Sequence, residues 1–153
     1  GSEMCIRDSI EIAQRNGLTL QIHDREAHAD VFRVLRDTGV PDRTILHCFS
    51  GDAEMAREAG KMGIFCSFAG NVTFKNAHGL REAAEVVPPE LLLTETDAPF
   101  LTPHPHRGKP GGPYMVAHVV RTLAQVRGVS EEELAERVTA NAVRAVGAWE
   151  LTL

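Results

Sequence analysis

No apolar run in this chain approaches the roughly 18 residues that suggest a membrane span. No stretch reads as the charged, apolar and cleavable series of a secretory leader. Cysteine is scarce: Cys5, Cys48 and Cys66 are the only three. An odd number without a C-x-x-C pair supports neither a disulfide framework nor a zinc ribbon. Cys48 and Cys66 sit in strand-like surroundings, where a reduced thiol is the ordinary state. The chain also lacks an internal repeat, a low-complexity tract and an excess of basic residues. Its formal net charge of -5 argues against broad adhesion to nucleic acid, although bound cations and a local basic loop can still receive phosphates on an acidic protein. Together these absences predict a cytoplasmic protein that meets no membrane.

What remains is the composition of a globular domain. Charged residues make up 24% and the apolar set 43% of 153 residues, enough for one domain with a real core. Strand signals alternate with helix signals, which predicts βα units and a parallel sheet. The strands are expected at Leu18–His23, Thr44–His47, Ile64–Phe68 and Leu91–Asp97. Between them Val31, Phe32, Val34 and Leu35, then Met55, Ala56, Ala59 and Met62, give apolar stripes at helix spacing. A further helix is expected over His78–Val87, stopped by Pro88-Pro89. Residues 98–113 carry five prolines and three glycines, a long loop of the kind that usually has a function. Pro113 suits a first helical position, and Val116, Val119, Val120 and Leu123 follow at helix spacing before Gly128. The last helix has a start signal in Ser130 and Glu133, a capping box, with Val129 and Leu134 as its staple. Residues 1–9 show no useful periodicity and Gly1-Ser2 looks like a leftover of cloning. The domain is therefore expected over 10–153, beginning in the tail of a helix as if it were part of something larger.

Three polar residues close three of the strand-like runs: His23, His47 and Asp97. In a parallel α/β barrel the C-terminal strand ends converge on one face, so residues distant in sequence can meet at one ion. Two imidazoles and a carboxylate suit zinc and similar divalent cations. Asp97 could hold the ion or accept a proton from attacking water. Strand alternation puts Leu91, Leu93, Glu95 and Asp97 on one face. Glu95 would then be a buried carboxylate needing partners, either orienting a ligand histidine or serving in an ordinary ion pair. The loop His104–Lys109 is the one concentrated basic patch. Arg107 and Lys109 either receive substrate phosphates or face solvent. His28, His78 and His118 read as surface or capping residues on helices. Cys48 is expected on the strand face opposite His47, away from any chemistry.

Several strings, taken together, resemble the TatD-type metal-dependent deoxyribonuclease family. They are Leu20-Gln21-Ile22-His23-Asp24-Arg25, His47-Cys48-Phe49-Ser50-Gly51, Gly70-Asn71-Val72-Thr73-Phe74-Lys75, Glu95-Thr96-Asp97-Ala98-Pro99, Arg107-Gly108-Lys109-Pro110 and Thr139-Ala140-Asn141-Ala142. They cover about residues 10–147. The resemblance implies a TIM-type (β/α)₈ barrel that cleaves DNA phosphodiesters with divalent metal (zinc, magnesium or manganese, two ions in the intact enzyme), typically from 3′ ends. By position it makes His23, His47 and Asp97 the ligands of strands five, six and eight. It also implies an H-x-H pair on the first strand and a ligand glutamate in a G-E-x-G-L-D-like string on the fourth, and neither string occurs here. The expectation is therefore the C-terminal half of such a barrel, strands five to eight, with two C-terminal helices and little activity alone. Its open sheet edges would favour self-association. Two other readings stay open: a related amidohydrolase-type enzyme acting on another substrate, and a non-catalytic half-barrel that pairs with another chain.

Overall fold

In the computed structural model, which describes residues 2–147, four parallel strands lie side by side in chain order. They are β1 (Leu20–His23), β2 (Thr44–His47), β3 (Phe65–Phe68) and β4 (Leu92–Thr94). A helix follows each of the first three, as parallel connections require: α2 (His28–Thr38), α3 (Ala53–Lys61) and α4 (His78–Val86). α1 (Ser2–Asn16) precedes the sheet, and α5 (Val116–Arg127) and α6 (Glu131–Val146) close the chain. None of these helices is long and apolar enough to cross a membrane.

The expected strands are all present, two of them trimmed at their N-terminal ends and the last at both. Each helix stripe also packs as its spacing predicts. Phe32, Val34 and Leu35 of α2, Met55, Ala56 and Ala59 of α3, and Val119 and Leu123 of α5 are buried in one core cluster. Asp52 caps α3 by accepting the Met55 N–H at 2.9 Å, and Ser130 caps α6 by accepting the Glu133 N–H at 3.0 Å. The second half of the capping box is diverted, because the Glu133 carboxylate pairs with Arg137 at 2.9 Å. Gly128 ends α5 in the left-handed conformation, φ 65°, the usual glycine stop.

Two expectations need correction. Residues 2–9 are helical: α1 begins at Ser2, and Arg7 ties it to α2 through Thr38 at 3.2 Å. The signal was weak because, among the described residues of this helix, only Ile10 and Ala13 are buried, while Met4, Ile6 and Ile12 face outward. The last strand also stops at Thr94. Asp97 lies beyond it with φ 56°, so strand alternation does not set its direction.

Two tie points position the end of the molecule that carries the site. Asn141 of α6 is 3% exposed and donates through Nδ2 to the carbonyls of Pro89 and Leu92, both at 2.8 Å. It fastens α6 to the start of β4. Gly70 opens the 3₁₀ turn Gly70–Thr73 after β3. A Cβ there would stand 1.9 Å from the Leu101 carbonyl oxygen, so only glycine lets the proline-rich loop rest on this turn. Thr73 Oγ1 completes the contact by accepting the His104 N–H at 2.8 Å. Replacing Asn141 with alanine strands the buried Leu92 carbonyl and removes the part-buried bond to Pro89, and is expected to cost about 2 kcal/mol. Gly70→Ala must push the loop backbone aside, at about 1–3 kcal/mol. Urea unfolding of both variants measures the losses.

Candidate metal centre

The site forms where β1, β2 and β4 end. Parallel register places His23 beside His47, and neighbours in register point to one face. Leu20 and Ile22 pack on the core cluster, whereas Gln21 and His23 are exposed, so both histidines stand on the face turned away from the helices. Their ring centroids are 5.9 Å apart. Asp97 brings an oxygen Oδ1 to 3.5 Å from His47 Nε2. Two ligands each about 2.1 Å from a tetrahedral ion stand roughly 3.4 Å apart, so this pair has the spacing of two donors to one cation.

Glu95 settles which nitrogen of His47 is available. Its Oε2 lies 2.7 Å from His47 Nδ1, and its Oε1 accepts the Cys48 backbone N–H at 2.6 Å. With Nδ1–H donated to the carboxylate, the Nε2 lone pair faces Asp97. This is the arrangement by which a carboxylate fixes the tautomer of a metal-binding histidine. Of the two roles open to Glu95, orientation of His47 is the one the geometry supports. Burial raises the Glu95 pKa above its ordinary 4.5, opposed by the His47 charge and by hydrogen bonds from His47, Ser67 and Cys48.

The three expected ligands are thus neighbours but not equals. His47 and Asp97 converge, and His23 stands alongside. Among the described residues no group of three or more His, Cys, Asp or Glu side chains closes around a single point. The donors fit a divalent cation in kind and pairwise spacing, and they make up part of a coordination shell.

A cleft of 280 Å³ opens beside His47, over His23 and Asp97. His23, Asp24, Arg25, Cys48, Ser50, Asn71, Asp97, Phe100 and Leu101 line it. Several of these escaped the sequence reading. Cys48 is not on the far face of a strand: β2 ends at His47, and Cys48 turns with φ 48° into the cleft wall. Its pKa is pushed up to about 12, first by burial and then by the charges of Glu95 and Asp97. In the metal-free chain these effects favour the protonated thiol. Asp24 is buried, accepting the Ala27 N–H at 3.0 Å and facing His28 Nδ1 at 2.5 Å, so His28 is partnered rather than a plain surface residue. Arg107 lies 4.3 Å over the Phe74 ring, and neither it nor Lys109 lines the cleft. Of the four non-glycine residues with positive φ among the described residues, Cys48, Asp97 and Leu101 are cleft residues and Glu26 adjoins one. Such strain collects at functional sites.

Comparison with known proteins identifies the family of the chain. The sequence model of the family described as TatD related DNase matches residues 2–147. The chain is 51% identical over 138 residues to an uncharacterized metal-dependent hydrolase, TatD, of Mycobacterium tuberculosis, covering 90% of this chain and 52% of that protein. It is 44% identical over 139 residues to the uncharacterized metal-dependent hydrolase YabD of Bacillus subtilis, covering 90% and 54%. The crystal structure of YJJV, a TatD homolog from Escherichia coli, superposes with a TM-score of 0.85 at 26% identity, over 92% of this chain and 54% of that one. The chain spans about half the length of the curated relatives it matches.

A raised carboxyl pKa means that the folded chain binds more protons than the unfolded one, so stability falls as pH rises. In metal-free protein the Glu95 contribution is expected to be full below pH 4.5 and to fade as pH climbs through the raised value. Glu95→Gln should flatten that slope. Urea midpoints across pH 4 to 8, wild type beside variant, measure it, and parallel curves would contradict it.

Proposed function

Because this chain belongs to the family of TatD-related DNases, we propose that it supplies part of the catalytic face of a divalent-metal-dependent hydrolase that cleaves DNA phosphodiester bonds, working from 3′ ends. The observation that carries this reading is the oriented pair itself: His47 Nε2 and Asp97 Oδ1 at 3.5 Å, with His47 held from behind by Glu95 at 2.7 Å. A free surface histidine needs no such backing. The four strands are read as the fifth to eighth of a (β/α)₈ barrel, in keeping with their chain-order parallel pairing and with the share of the relatives that the chain spans. On this reading the first and fourth strands of the complete barrel bring the remaining ligands.

A divalent cation, when bound, supplies a Lewis acid for the phosphoryl oxygen and a water of lowered pKa. The residues of the chain do the rest. His47 offers Nε2 in a fixed direction, because rotating the ring would break its bond to Glu95. Asp97 contributes one oxygen beside that nitrogen; it would accept the proton as water attacks phosphorus and return it to the leaving alkoxide as the P–O bond breaks. The Cys48 N–H holds Glu95 in place. With only part of the ligand shell present, the isolated chain turns DNA over slowly.

Calorimetric titration with zinc or manganese tests the centre without relying on turnover. Binding should be lost in His47→Ala and in Asp97→Ala, and weakened about 10- to 100-fold in Glu95→Gln, as for other groups that orient a metal ligand. Metal binding that survives the His47→Ala change would place the ion elsewhere and sink the reading.

A further inference from the structure

Four histidines stand half-buried, and they divide by what their rings touch. His28 faces Asp24 at 2.5 Å and His47 faces Glu95 at 2.7 Å. His106 and His118 touch each other instead, with ring centroids 5.2 Å apart and planes inclined by 66°. Among the described residues no hydrogen bond or ion pair reaches either ring. Each imidazole has two nitrogens that ask for a partner, so the pair presents unclaimed donor atoms side by side. Both rings stand on fixed backbone. His106 lies in a pinned turn of the proline-rich loop: its N–H donates to the Pro103 carbonyl at 2.9 Å, and its own carbonyl accepts the Lys109 N–H at 3.2 Å. His118 is on the first turn of α5, next to the fully buried Val119. The guanidiniums flanking the pair are directed elsewhere. Arg107 is held over Phe74, and Arg121 pairs with Glu131 at 2.9 Å.

We propose that His106 and His118 form a second metal site, a two-imidazole clip for a borderline divalent cation such as nickel or zinc, which fastens the proline-rich loop to α5. Imidazole suits these ions. With metal–nitrogen bonds of about 2.0–2.1 Å, two imidazoles set about 90–110° apart on one ion have centroids about 4.5–5.2 Å apart. The observed spacing therefore lets each ring offer a nitrogen to a shared ion by turning about its own side-chain bonds. No third His, Cys, Asp or Glu joins them among the described residues, so water completes the coordination. The net charge of -5 favours the approach of a cation. This site needs nothing from the hydrolase reading: neither histidine lines the cleft over the strand ends, and the donors of the two centres are different residues.

Nickel(II) calorimetry on the His47→Ala protein, with the strand-end donors disabled, tests the clip. One nickel per chain is expected. His106→Ala and His118→Ala should each weaken binding about 100-fold, and about as much singly as together, because a chelate loses its second arm with either ligand. His104→Ala, in the same loop, should bind nickel as its parent does. Nickel is paramagnetic, so with the pair intact it should broaden the ring proton signals of His106 and His118 together, ahead of the other histidines. That reading does not depend on how the alanine variants fold. Broadening centred on other histidines, or single variants that keep the parent affinity, would overturn the clip and leave the two rings a packing contact. Manganese stands lowest in the divalent series and is held weakly by two imidazoles alone. It therefore isolates the strand-end donors, whose success or failure is read separately.

Discussion

Glu95 is the residue on which the functional end of this molecule depends. It follows β4, but its carboxylate reaches across β3 to the end of β2, where it holds the His47 ring and the Cys48 backbone. Ser67 of β3 also bonds to it. One side chain therefore ties three neighbouring strands at their C-terminal ends. Ionising such a group away from water is costly, and the penalty is offset only when the carboxylate's acceptor positions are filled. Here one oxygen takes a ring nitrogen and the other a backbone N–H. The same contacts that make the burial tolerable also fix His47 in one tautomer and one direction. Structural requirement and chemical requirement coincide in a single carboxylate.

The backbone at this end is arranged around that group. β2 stops at His47, and Cys48 turns into the left-handed region at φ 48°, which aims its N–H at Glu95. After Glu95 the chain turns again, with Asp97 at φ 56° and Leu101 at φ 49°. Non-glycine residues adopt such angles only where surrounding contacts over-determine them. The contacts are on the page: Glu95 on Cys48, the Phe100 N–H on the Asp97 carbonyl, and the close approach of Leu101 to Gly70. A regular strand through Asp97 would carry its carboxylate on along the sheet face. The turn instead brings it back beside His47.

This explains how much of the molecule was legible in the sequence. Period-two and helix-period patterns report burial, and burial decides where β1 to β4 and α2 to α6 lie. Strand ends therefore located His23 and His47, whose register is a property of the sheet. Asp97 was found as a residue but misplaced in geometry, because its position comes from a left-handed turn that no hydrophobic period encodes. Cys48 was misjudged for the same reason, since alternation was extended one residue beyond the strand. α1 was missed before Ile10 because most of its apolar residues face outward in the described chain. Arg25 stood in plain view in a recognised string. Its place on the cleft comes from the fold and cannot be read from the string alone.

The basic loop shows why charge in a sequence is an ambiguous signal. Arg107 and Lys109 lie in a segment whose proline-rich backbone is pinned by internal bonds: Thr102 Oγ1 donates to the Lys109 carbonyl at 2.6 Å, and the Gly111 N–H donates to the Pro99 carbonyl at 3.0 Å. With the backbone pinned in this way, Arg107 covers Phe74, where an aromatic face attracts a guanidinium by about 0.5–1 kcal/mol at an exposed site. A cation held in this way has to leave the ring before it can serve a phosphate. Arg25 gives up no such contact, and it already stands on the cleft that holds His23 and Asp97.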